Sequence, residues 1–138
     1  MKKAKVLLVD DQPDFLEPIS FLLRSEGYEV LLANGGIEAI EMIKSDNPDI
    51  VFLDIVMPEV DGLETLSRIR SFNKLLPVVI LTAEANEENR LQAQKLGVAG
   101  FFPKRGNVWQ LPGIIVNILK DPKKMLAPQD DTKTAPEK

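Results

Sequence analysis

Three runs of the chain, Val6-Leu7-Leu8-Val9, Ile50-Val51-Phe52-Leu53 and Val78-Val79-Ile80-Leu81, are apolar at every position. A strand with one wet face alternates apolar and polar residues. A continuous Val/Ile/Leu run instead reads as a strand buried on both faces, as in a parallel sheet covered by helices. With two weaker runs, the expected strands are 5–10, 28–33, 49–54, 77–82 and 100–103. Helical spacing fills the gaps. Phe15, Ile19, Leu22 and Leu23 share one face, Ile37, Ile40 and Ile43 another, and Leu63, Leu66 and Ile69 a third. Leu91 and Leu96 mark a very polar fourth helix, and Ile114, Ile115, Ile118 and Leu119 mark a fifth. Gly27 and Gly97 read as C-terminal helix stops. Five strand–helix units make a doubly wound α/β domain. Two prolines perturb the pattern. At Pro18 the first helix either kinks or begins in earnest near Glu17, and Pro112 sets the start of the last helix near Leu111.

The chain has 138 residues, 44% hydrophobic and 28% charged, which suits one domain with its own core. Residues 1–120 form the expected domain. From Asp121 to Lys138 the pattern fails: the segment is polar and Pro-rich, and its four acidic and four basic residues cancel. It reads as a disordered tail or linker stub. The formal net charge of -4 therefore belongs to residues 1–120 and argues against nucleic acid or an anionic membrane as partner. No apolar stretch nears 18 residues and no charged-then-apolar leader is present, so a cytoplasmic location is expected.

The polar residues that end the apolar runs carry the chemistry. Val6–Val9 is followed by Asp10-Asp11, Ile50–Leu53 by Asp54, Val78–Leu81 by Thr82, and Phe101-Phe102-Pro103 by Lys104. In open α/β sheets, ligands bind beyond the carboxyl ends of the strands. The chain has neither His nor Cys. That excludes an imidazole base, a phosphohistidine on this chain, a thiolate nucleophile and disulfides. Carboxylates, a hydroxyl and an amine remain. Carboxylates gathered in one place repel one another, and a hard divalent cation such as Mg²⁺ relieves this. An Asp can accept a phosphoryl group covalently.

Taken singly, each of these residues has a blander reading. Asp10-Asp11 could cap a helix, Asp61-Gly62 is a turn that starts one, Thr82 could merely end a strand, and Lys104 could be a solvated charge. Phe101 reads first as core, and Trp109 as partly buried packing near the fifth helix or as part of a partner face. Together they carry more. The motifs Val-Asp-Asp-Gln-Pro, Phe-Leu-Asp-Ile-Val-Met-Pro-Glu-Val-Asp-Gly, Leu-Thr-Ala and Gly-Val-Ala-Gly-Phe-Phe-Pro-Lys resemble the receiver domain of two-component response regulators, over residues 3–120.

The resemblance implies a flavodoxin-like five-stranded parallel sheet ordered 2-1-3-4-5. On such a sheet the strand-end groups run Asp10-Asp11, Asp54, Thr82, Lys104. It implies Mg²⁺ held by Asp10, Asp11, Asp54 and the backbone carbonyl of Met57. It implies phosphorylation of Asp54 by a histidine kinase or phosphotransfer protein, with Thr82 and Lys104 on the phosphoryl oxygens. Thr82 and Phe101 would be the switch, altering a downstream protein's affinity for the face of helix 4, strand 5 and helix 5. The chain would be a signalling module, with no enzymatic role beyond its own phosphorylation and dephosphorylation, and a homodimer is compatible with it.

The sequence departs from the family in places. Arg105 follows Lys104 where a proline is usual, while Pro103 precedes it, so the loop aiming Lys104 is expected to take another path. Phe101 replaces the frequent Tyr. Val56 and Glu84 hold positions that tune phosphate lifetime. Apolar Val56 cannot orient an attacking water, so slow self-dephosphorylation is expected.

Other classes fit less well. A phosphatase of the haloacid dehalogenase type would need an acid where Val56 stands. A flavodoxin-type or nucleotide-binding domain would need a Gly-rich or hydroxyl-rich loop in place of Asp-Asp-Gln-Pro-Asp. The alternatives closest to the main reading are a receiver-like scaffold that works without phosphorylation and the receiver fragment of a longer regulator.

Overall fold

In the computed structural model, residues 3–57, 60–82 and 87–120 are described. The expected tail 121–138 and the lifetime position Glu84 lie outside them. Five strands alternate with five helices: β1 (Lys5–Val9), α1 (Pro13–Ser25), β2 (Glu29–Ala33), α2 (Gly36–Asp46), β3 (Ile50–Asp54), α3 (Gly62–Phe72), β4 (Val78–Thr82), α4 (Glu87–Leu96), β5 (Gly100–Pro103) and α5 (Leu111–Lys120). A 3₁₀ turn, Val108–Gln110, precedes α5. The sheet is wholly parallel and ordered β2-β1-β3-β4-β5.

The continuous apolar runs are explained by two cores, one on each sheet face. Leu7, Val9, Val51, Leu53, Val78 and Ile80 pack with residues of α2, α3 and α4. Their neighbours Val6, Leu8, Ile50, Phe52, Val79 and Leu81 point the other way, against α1 and α5. Alternate side chains leave a strand on opposite faces, so a strand covered twice must be apolar throughout.

Both glycine stops hold. Gly27 and Gly97 each have φ 98°, the left-handed region that ends a helix cheaply only without a Cβ. At Gly27 the N–H donates to the Arg24 carbonyl and the N–H of Tyr28 to that of Leu23, a Schellman ending. α1 begins at Pro13 and runs on through Pro18, rather than starting near Glu17. Both Pro18 and Asp14, whose carbonyl loses its partner, face solvent. α5 begins at Leu111, with Pro112 in its first turn, where a missing N–H is harmless.

Three apolar expectations are corrected. Ile37 is 49% exposed, because α2 packs through Gly36, Ala39 and Ile43, and Gly36 sits too close to Thr65 for any larger residue. Leu91 is exposed, and α4 buries only Ala93 fully. Trp109 is 73% exposed on the 3₁₀ turn and does not pack into the core.

Ser20 is buried within α1, and its hydroxyl finds no hydrogen-bond partner among the described residues. An unpaired buried hydroxyl destabilises a fold, and Ala is the better helix former. Ser20→Ala should therefore raise stability by about 1 kcal/mol, seen as a higher urea midpoint at unchanged slope. A lower midpoint would mean that the hydroxyl is paired.

Candidate functional site

The parallel sheet sends the ends of β1, β3, β4 and β5 to one edge, so residues from Asp10 to Lys104 meet there. Asp10 follows β1 and is fully buried, its N–H donating to the Ala33 carbonyl (3.2 Å). Its Oδ1 accepts from the Gln12 N–H at 3.0 Å. Asp54 ends β3 at 3% exposure, and its Oδ1 accepts from the Val56 N–H at 3.3 Å. Asp11 is exposed at the rim. One carboxylate oxygen from each of Asp10, Asp11 and Asp54 falls within 4.8 Å of the others.

Lys104 reaches into this cluster from the loop after β5. Its ammonium lies 2.7 Å from Asp10 Oδ2 and 3.2 Å from Asp54 Oδ2. It also donates to Gln12 Oε1 at 3.1 Å and sits 4.9 Å from the centre of the Phe15 ring. The loop that aims it turns tightly. The Lys104 N–H donates to the Thr82 carbonyl (2.8 Å) and the Gly106 N–H to that of Pro103 (2.7 Å). The described residues contain no cis peptide bond, so Lys104-Arg105 is trans. A Cβ on Gly106 would press on the Pro103 carbonyl and the Phe102 ring.

The electrostatics follow from burial. Asp54 is pushed up to about 6, first by loss of solvation and then by repulsion from Asp10. The Lys104 ammonium and the Val56 N–H pull it back only in part. For Lys104, burial favours the neutral amine, but the contacts with Asp10 and Asp54 outweigh this and hold the ammonium above its ordinary value.

A hard cation fits this site. The side-chain donors that converge are hard carboxylate oxygens of Asp10, Asp11 and Asp54, and Asp10 Oδ2 is buried with no hydrogen bond among the described residues, only its ion pair with Lys104.

The other expected residues sit nearby in differing ways. Thr82 is half-buried at the end of β4 and pairs in register with Pro103. Phe101 lies on β5 opposite Ile80, half-buried, with the Arg90 guanidinium of α4 stacked 4.5 Å from its ring centre. Met57 is buried and its side chain packs into the core on the α2–α4 side. Val56 is 74% exposed. Asp61 caps α3, its Oδ1 accepting from the Glu64 N–H at 2.9 Å. A Cβ on Gly62 would collide with the Asp54 carbonyl oxygen, so this glycine lets α3 start directly against the site strand.

The sequence reading missed Gln12 and Phe15 as partners of Lys104. Gln12 stands next to Asp-Asp, which was a signal. Phe15 falls in the apolar stripe of α1, and that periodicity says nothing of its contact with Lys104.

Comparison with known proteins agrees with this geometry. The family model for the response regulator receiver domain matches residues 6–115. The response regulator MprA of Mycobacterium ulcerans is 40% identical over 101 residues, covering 73% of this chain and 44% of the relative. The chain spans about half the length of the curated relatives it matches. The chemotaxis protein CheY4 of Vibrio cholerae superposes with a TM-score of 0.78 at 31% identity, covering 83% of this chain and 98% of that one. A CheY-like receiver domain protein from Methanospirillum hungatei superposes with a TM-score of 0.83 at 26% identity, covering 88% and 97%. With the sheet order, the acidic cluster and the matched span in agreement, the chain belongs to the response regulator receiver domain family of two-component systems.

Proposed function

We propose that the chain is a phosphorylation-controlled switch in a two-component phosphorelay, with Asp54 as phosphoryl acceptor. The observation that carries this reading is a buried carboxylate at the open end of the central strand, flanked by a second carboxylate and an ammonium. An Asp54 oxygen attacks the phosphorus of a phosphohistidine on a histidine kinase or phosphotransfer protein. An O–P bond forms, the N–P bond breaks, and the leaving imidazole takes up a proton. Phosphoryl transfer asks mainly for positioning and charge neutralisation. Lys104 neutralises one phosphoryl oxygen, and the Thr82 hydroxyl donates to another. Asp10, Asp11, Asp54 and the Met57 carbonyl are the residues that would hold Mg²⁺, which when bound supplies further neutralisation of phosphoryl charge.

Output runs through Thr82 and Phe101. Inward movement of the Thr82 hydroxyl opens room for the Phe101 ring and changes the face of α4, β5 and α5 that a downstream protein reads. Exposed, apolar Val56 offers no hydrogen bond to an attacking water, which supports a long-lived phosphoryl group. A cytoplasmic location fits a kinase partner, and no helix among the described residues is long and apolar enough to cross a membrane. The acidic charge disfavours direct nucleic-acid binding, and a homodimer is compatible with this role. We place the domain at residues 1–120.

The test is intact mass after incubation with a small-molecule phosphodonor. The parent should gain one phosphoryl group with Mg²⁺ and none with a chelator. No gain from that donor or from a cognate kinase would leave a receiver-like scaffold that works without phosphorylation.

A further inference from the structure

An ammonium has three N–H donors, and at Lys104 three oxygens stand ready for them. Two belong to the carboxylates of Asp10 and Asp54, and the third is Gln12 Oε1 at 3.1 Å. The Phe15 ring, 4.9 Å from Nζ to its centre, covers another side. Gln12 is doubly engaged, because its N–H also donates to Asp10 Oδ1 at 3.0 Å. Both residues are fixed by the start of α1. Gln12 is its N-cap, and its carbonyl accepts from the N–H groups of Phe15 (3.0 Å) and Leu16 (3.3 Å).

We propose that Gln12 and Phe15 are positioning residues that hold Lys104 in the acidic pocket as a resident counter-ion, and so set how tightly the pocket takes a divalent cation. This rests on the reading of Asp10, Asp11 and Asp54 as Mg²⁺ ligands. The Lys104 ammonium sits on Asp10 and Asp54, two of the three carboxylates that a divalent cation would need, so the two cations would compete for them. A ligand that strengthens one occupant's hold weakens the other's. Gln12 and Phe15 are neutral, so removing either leaves the pocket's net charge unchanged. Their influence on a cation must therefore run through the ammonium they hold.

The experiment is a calorimetric titration of the full chain with Mg²⁺ alone at fixed ionic strength. Gln12→Ala should bind Mg²⁺ about fivefold more tightly, the scale of one ordinary, solvent-exposed hydrogen bond. Phe15→Leu should tighten binding about two- to threefold, as expected for loss of a partly exposed cation–π contact. In a Lys104→Met background, Gln12→Ala should change nothing. A second readout is the metal-free ¹⁵N signal of the Lys104 ammonium, whose protons should exchange faster in Gln12→Ala. Unchanged or weaker Mg²⁺ binding in Gln12→Ala would overturn the proposal. So would a gain that persists without Lys104, since Gln12 would then act on the metal directly. A parent that binds no Mg²⁺ at all would sink the metal reading itself. The ammonium signal then decides the positioning role alone, and indifference to Gln12→Ala would end it.

Discussion

Asp54→Asn should abolish phosphoryl uptake and, at the same time, make the protein more stable at neutral and alkaline pH. The first effect follows from the nucleophile, since an amide does not replace a carboxylate in attack on phosphorus. The second follows from the cost of keeping a charge there. Asp54 is 3% exposed beside a second carboxylate, and its carboxyl is pushed from 3.8 up to about 6. The folded chain thus holds this proton more tightly than the unfolded chain. As pH rises through 3.8, the unfolded state ionises first, and folding is penalised progressively until the folded carboxyl ionises near 6. Above that the penalty is complete, on the order of 3 kcal/mol, and it vanishes below about pH 4. Asn carries no such penalty and can still accept from the Lys104 ammonium, which keeps its ion pair with Asp10. The Asn variant should melt roughly 10 °C higher than the parent at pH 7.5, and the gap should close as pH falls toward 4. Mass spectrometry with a phosphodonor reads the first effect, and paired thermal melts across pH read the second. A gap that stays constant with pH, or widens on acidification, would mean that Asp54 is not the strained carboxylate.

This coexistence of strain and chemistry was half legible in the sequence. A strand buried on both faces has no room for polar residues, so the first polar residue after each run marks where the strand surfaces. That is why Asp10, Asp54, Thr82 and Lys104 stood out. The strand ends fell within one residue of expectation for the same reason. Sheet order was not readable from periodicity and came from family resemblance. The helix faces were less legible, because a stripe of apolar residues does not say which member meets the sheet. In α2 the contact is made by Gly36 and Ala39, small residues that allow close approach, and Ile37 is left outside. Contacts between distant segments were invisible. Gln12 and Lys104 lie 92 positions apart, and nothing in either local pattern couples them. Arg70 escaped too, although it sits four residues after Leu66 on the apolar side of α3, where a basic residue is out of place.

Arg70→Ala should lower stability by about 3 kcal/mol, near 10 °C in melting temperature, and should loosen α4 more than the sheet. Arg70 is 7% exposed, and burial lowers its pKa, yet a guanidinium stays charged and must find acceptors. It finds backbone carbonyls: Nε and Nη2 donate to Gly97 O at 3.1 and 2.9 Å, and Nη1 donates to Asn73 O at 2.9 Å. Gly97 closes α4, so a cation on α3 caps the negative end of the neighbouring helix. α4 has little else to hold it, since only Ala93 is fully buried and its outer face is polar. Removing the guanidinium strips these bonds from the buried Gly97 carbonyl and the half-buried Asn73 carbonyl and leaves a hole beside them. Lys in its place should recover only part of the loss, because an ammonium lacks the planar fork that grips Gly97 twice. Amide exchange should distinguish the mechanisms. Faster exchange confined to α4 and the Gly97 turn supports a pin between helices, while a uniform increase across β1 and β3 would mean that Arg70 merely fills space. Arg70→Met sharpens the test, since a variant as stable as the parent would show that volume, and not the bonds to Gly97, holds α4 in place. If the pin is real, one end of α4 is anchored by Arg70 while its first turn rests on the Arg90–Phe101 contact, so movement of the Phe101 ring would swing the helix about its Gly97 end.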